Sequence, residues 1–111
     1  MTVELRDRAW LLVGLFGNDE GELAVRSGRL TLRTKGGVSF DVPLAEVGSV
    51  EFPWYAFGAG VQFTVAGRRY RLSFVLPTAY GGRIGDVPEG RRIGAAWQTA
   101  FREAGLLGRP R

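Results

Sequence analysis

From Gly21 to Val75 the chain alternates apolar and polar residues with a period of two, and glycine- or proline-containing steps interrupt the alternation at short intervals. A pleated strand sends successive side chains to opposite faces, so this pattern calls for short, half-buried antiparallel strands. Leu23 and Val25 share one face of residues 22–26. Leu30 and Leu32 share one face of 29–35, and Arg29, Thr31, Arg33 and Lys35 share the other. Val38, Phe40 and Val42 alternate with Ser39 and Asp41. Val50 and Phe52 flank Glu51 in a short strand. Val61, Phe63 and Val65 form the next run, followed by Tyr70, Leu72 and Phe74 alternating with Arg69, Arg71 and Ser73. Ser27-Gly28, Gly36-Gly37 and Ala66-Gly67 read as tight turns between these runs. Pro43 and Pro53 stop two of them, because proline gives no donor to a ladder.

The ends of the chain follow other rules. In residues 1–20, Leu5, Ala9, Leu12 and Phe16 recur at helical spacing, whereas Trp10–Phe16 alone also fits a buried strand. The reading is a helical or irregular start that packs Trp10 and Leu12 on the core, with a strand as the alternative. Asn18-Asp19-Glu20-Gly21 is a turn cluster. Residues 77–90, with Pro77, Gly81, Gly82, Gly85, Pro88 and Gly90, read as a loop. Residues 91–104 predict a helix with Ile93, Ala96, Trp97, Ala100, Phe101 and Ala104 on one face. Gly105 is placed to stop it, and 105–111 reads as a fraying tail.

At 111 residues the chain fits one domain able to bury a core of its own. Its 17 glycines have no collagen-like period and match a fold with many turns. There is no cysteine and no histidine. That excludes disulfides, Cys/His zinc sites and nucleophiles that depend on a histidine base. Asp41, Glu46 and Glu51 are the carboxylates open to acid–base work, but spacing alone does not pair them. No dinucleotide, P-loop or EF-hand pattern is present. The expectation is a protein that is not an enzyme and uses no cofactor. Its longest apolar run, Trp10–Phe16, is far shorter than the ~20 residues a spanning helix needs, and no leader-type cleavage site follows it. The chain therefore reads as cytoplasmic.

The carrying segments are Gly21-Glu22-Leu23, Gly28-Arg29-Leu30-Thr31-Leu32, the stretch Phe40–Val50, Gly60-Val61-Gln62-Phe63 and Arg69–Phe74. In this order, with one terminal amphipathic helix, the chain resembles the pleckstrin-homology-like superfamily, nearest to GRAM-like and bacterial members. The resemblance covers about residues 21–104. It implies a mostly β fold, a half-open barrel of two near-orthogonal antiparallel sheets capped by the helix, with Trp97 and Phe101 sealing the core.

It also implies where ligands sit. Lipid-binding relatives hold phosphates with basic residues around the first hairpin and the strand after it. Here Arg26, Arg29, Arg33 and Lys35 are the candidates for an anion or membrane contact, joined by Arg69 and Arg71 if the two strands converge. Arg33-Thr34-Lys35 is similar to the basic end of the lipid motif, whose upstream lysine is absent. The same residues also fit an ordinary solvated sheet face. The net charge of +4 suits an anionic partner, although arginine richness, with Lys35 the single lysine, equally fits a GC-rich coding sequence. Trp54, Tyr55 and Phe57, together with Tyr80, are the candidates for a partner surface, unless they fold onto the core. The expected function is a non-catalytic binding module that engages a protein partner or its own copy. The alternative is peripheral attachment to an anionic membrane or to phosphoinositides through the basic sheet face; nucleic acid is not expected, since no RNA-binding signature occurs.

Overall fold

The computed structural model describes residues 4–13, 17–53, 59–75 and 86–107. Within them the alternating sequence forms β1 (Leu5–Val13), β2 (Gly17–Arg26), β3 (Arg29–Thr34), β4 (Gly37–Pro43), β5 (Val47–Glu51), β6 (Gly60–Val65) and β7 (Arg68–Ser73). One helix follows, α1 (Asp86–Glu103), and a single 3₁₀ turn, Leu44–Glu46, joins β4 to β5. Every strand pair is antiparallel. The fold is mostly β with one C-terminal helix, as the pattern implies. The expected pair of separate sheets is replaced by one continuous sheet of order β4-β3-β2-β1-β7-β6-β5. β1 is its hinge. It pairs with β2 along its whole length and with β7 at Trp10↔Ser73 and Leu11↔Leu72.

This sheet is strongly curled. Flat strands stand ~4.8 Å apart, so β4 and β7, four places apart in the order, would lie roughly 19 Å from each other. Yet the rings of Phe40 on β4 and Tyr70 on β7 have centroids 4.9 Å apart, and Phe40 also meets Phe63 on β6 at 5.7 Å. The two ends of the sheet therefore face each other across the core. No ladder joins β4 to β5 among the described residues, so the sheet remains open there. At Gly21 the backbone of β2 presses close to that of β3. A Cβ at this position would fall 2.2 Å from the carbonyl oxygen of Arg33 on β3. Only glycine permits that backbone approach. The cluster expected to be a turn is thus the first half of β2.

Two hairpins follow the turn chemistry closely. Ser27 and Gly28 have φ of 53° and 74°, and Ala66 and Gly67 have 52° and 79°, the left-handed pairs of a type I′ turn. The third turn is displaced by one residue. Thr34 pairs with Gly37, leaving Lys35-Gly36 as the loop, and a bulge between Leu32 and Arg33 absorbs the shift.

The N-terminal segment is a strand, and its faces are the reverse of the expected ones. Ala9 and Leu11 are buried in the core, whereas Trp10 and Leu12 lie on the outer face, half-buried. Leu5 and Asp7 share the core face with Ala9 and Leu11. A carboxylate there needs a partner, and it has one. Asp7 Oδ2 accepts a hydrogen bond from the indole Nε1–H of Trp97 at 2.9 Å. The most deeply buried aromatic of α1 thereby has its only polar atom satisfied. No buried side-chain polar atom lacks a partner among the described residues.

α1 begins at Asp86, five residues before the expected start, and takes in Pro88 and Gly90. Proline is compatible with a first helical turn, where its missing N–H has no intrahelical acceptor. Gly90 is required by packing. A Cβ there would sit 2.3 Å from Val75 Cγ1 and 2.9 Å from the Ala59 Cβ. The buried stripe is Gly90, Gly94, Trp97, Ala100 and Phe101, with Ile93 half-buried; Ala96 and Ala104 are exposed, against expectation. The glycines, not the alanines, bring the helix close to the sheet. Trp97 and Phe101 then pack on one another at 5.8 Å, Trp97 on Phe74 at 6.1 Å, and Phe101 on Phe63 and Phe52. The helix ends in a Schellman motif. Gly105, at φ 79°, donates to the Arg102 carbonyl and Leu106 donates to that of Phe101, with Leu106 packed against the core.

Candidate functional site

The outer face of β1–β3 carries most of the sequence-derived basic candidates, and the strand register decides which of them meet. Three cross-strand rows lie on it. Arg8, Glu22 and Arg33 form one row, continued by Val38 on β4. Arg6, Ala24, Thr31 and Asp41 form the second. Arg26, Arg29 and Pro43 form the third. Ala24 and Thr31 are small, and the long side chains around them leave a depression of roughly 500 Å³. Its lining includes Arg6, Glu22, Ala24, Arg26, Thr31 and Arg33.

The charges around this depression are interleaved rather than uniform. Arg6 Nε donates to Glu22 Oε1 at 2.7 Å, which raises the guanidinium pKa further above its ordinary value. Arg8 reaches Glu20 at 3.4 Å. Arg29 donates to Asp41 Oδ1 and to the Asp41 carbonyl, both at 3.0 Å. Arg26 and Arg33 have no side-chain hydrogen bond or ion pair among the described residues. Arg33 stands directly opposite Glu22 on β2, but that carboxylate is taken by Arg6. Lys35 is exposed in the β3–β4 turn.

Arg69 and Arg71 are not part of this group. They lie on β7, with β1 and β2 between them and β3. Arg69 donates to the Ser49 carbonyl at 3.0 Å, to Glu51 Oε2 at 3.2 Å and to Gln62 Oε1 at 2.9 Å, bracing β5 against β6 and β7. Arg68 lies over the Tyr70 ring, its guanidinium carbon 5.0 Å from the centroid. The carboxylates considered for acid–base work are also dispersed. Asp41 is bound to Arg29, Glu51 to Arg69, and Glu46 is exposed in the 3₁₀ turn. No metal-binding group of three or more His, Cys, Asp or Glu occurs among the described residues. No helix among them is long and apolar enough to cross a membrane. Trp54, Tyr55, Phe57 and Tyr80 lie outside the described residues.

Sequence reasoning missed Arg6 and Glu22 as site residues. Arg6 fell in a segment read as helical or irregular, and the partner of Glu22 is set by the β1–β2 register, which no local pattern reveals. The chain matches no family model, no curated protein and no solved structure.

Proposed function

We propose that this chain is a non-catalytic binding module of the pleckstrin-homology-like class that engages a protein partner through the outer face of β1–β3. Two antiparallel meanders, β1–β4 and β5–β7, share one curled sheet, and the terminal helix packs into the sheet's inner face; this arrangement supports the half-barrel reading. The observation that carries the function is the interleaving of arginines and carboxylates around the depression. A bilayer surface rewards many like charges acting together over a Debye length. Here Glu20, Glu22 and Asp41 already neutralise Arg8, Arg6 and Arg29 at close range. Such a face offers both donors and acceptors at fixed spacing, the kind of complementarity by which polypeptide surfaces select one another. Attachment to anionic membrane rests on the net charge of +4 and on Arg26, Arg33 and Lys35, which have no carboxylate paired to them at this face among the described residues.

The test has two arms. A photo-crosslinking residue in place of Lys35, beside the site, should give discrete protein adducts in cells. Co-sedimentation with phosphatidylserine vesicles at about 0.15 M salt should leave the protein in the supernatant. Pelleting that is lost on Arg33→Glu, without protein adducts, would overturn the reading and assign the face to membrane.

A further inference from the structure

Two guanidiniums of the depression, Arg26 and Arg33, make no ion pair among the described residues, although the carboxylate of Glu4 also belongs to the lining. Arg26 lies directly opposite Arg29 in the β2–β3 ladder. Like charges in that position repel. Arg29 is neutralised by Asp41, and Arg26 is not. Four residues further along β3, Arg33 faces a carboxylate already held by Arg6. Arg26 and Arg33 therefore flank the Ala24–Thr31 floor from its two ends, on adjacent strands, each with its fork of donors unengaged among the described residues.

We infer that this depression is an acidic-peptide site, in which Arg26 and Arg33 each take one carboxylate of an extended segment lying over Ala24 and Thr31. Four residues of extended chain span roughly 13 Å, so the rows of Arg26 and Arg33 are separated by about that distance along the strands. An extended ligand covers the same distance between residues i and i+4. The segment then carries two Asp or Glu residues four apart, with small residues between them that fit over the floor. Bidentate guanidinium–carboxylate pairing supplies both strength and orientation. This site rests on the protein-partner reading and names the chemistry that the partner presents.

The probe is a capped peptide, acetyl-Asp-Ala-Ala-Ala-Asp-amide, titrated into isotope-labelled protein and followed by amide NMR shifts. Shifts should be confined to residues 24–26 and 31–33 and should diminish with added salt. Arg26→Gln and Arg33→Gln should each weaken the binding by about two- to fivefold, the loss expected for one exposed charge pair. A peptide with Asn in both acidic positions should cause no shift. No shift with the acidic peptide, or shifts spread over Lys35, Arg69 and Arg91 alike, would overturn the site. The crosslinking arm above stays independent. Protein adducts that persist in the Arg26→Gln/Arg33→Gln variant would sink this site and leave the partner reading standing, whereas vesicle pelleting would sink the reading itself.

Discussion

On the inner face of β1–β3, Ala9, Leu23, Val25, Leu30 and Leu32 are buried against aromatic rings from β4, β6, β7 and α1. On the outer face of the same strands the side chains stand in or near water, where Arg6 pairs diagonally with Glu22, Arg8 with Glu20 and Arg29 with Asp41 of β4, and Arg33 makes no ion pair among the described residues. One backbone thus carries two different kinds of interaction. The inner face is defined by volume, so any change there leaves a hole or an overlap. The outer face is defined by charge in a high dielectric, where each pair contributes little and can be exchanged. The fold is held by the first face, and selectivity for a partner can be tuned on the second without endangering it.

The contrast can be broken most severely at Trp97. Trp97→Ala removes a fully buried indole that touches Phe74 and Phe101, and it should cost roughly 3–5 kcal/mol. That is much of the ~5–15 kcal/mol that holds a domain together. The expected outcome is a molten or unfolded chain by denaturant titration and loss of near-ultraviolet dichroism. Near-native resistance would contradict the packing described above.

A smaller effect tests the polar contact on the core side, between Asp7 and Trp97. Asp7→Ala leaves the Trp97 indole N–H without its acceptor in the core and should cost about 1–3 kcal/mol in urea unfolding. Asp7→Asn keeps a carbonyl acceptor and should lose much less. Equal losses would mean that charge, not the hydrogen bond, matters there.

The least effect is expected outside. Arg29→Ala breaks the bond to Asp41, a pair about half exposed on both sides, and should change stability by less than about 1 kcal/mol. A larger loss would erase the distinction between the two faces.

How much of this could be read from residues follows the same division. Period two located β3, β6 and β7, because their apolar residues all face one way, and β4 except for Val38, which was expected to share a face with Phe40 but is turned outward beyond the bulge. The I′ turns at Ser27-Gly28 and Ala66-Gly67 were visible because local φ demands name their residues. β1 was obscure for a physical reason. Asp7 occupies a core position only because Trp97, 90 residues away, supplies its partner, and Trp10 and Leu12 are apolar on the outer face. The start of α1 was hidden because Gly90 resembles a loop residue until Val75 and Ala59 are seen pressing on it. The arginines of the site were visible as a list, but which of them meet depends on register across three strands.

The position of β1 also bears on how the chain assembles. Among the described residues every ladder but one joins strands that are neighbours in sequence, so most of the sheet can zip from its own hairpins at small loop-closure cost. The seam from Trp10 to Ser73 is the exception, and it is short. Folding speed falls as contacts reach further along the chain, so this seam and the nearby Asp7–Trp97 bond are expected to form last, after the hairpins. The same line is where two self-contained meanders would part, and amide exchange along β1 facing β7 would report that opening before the hairpins themselves come undone.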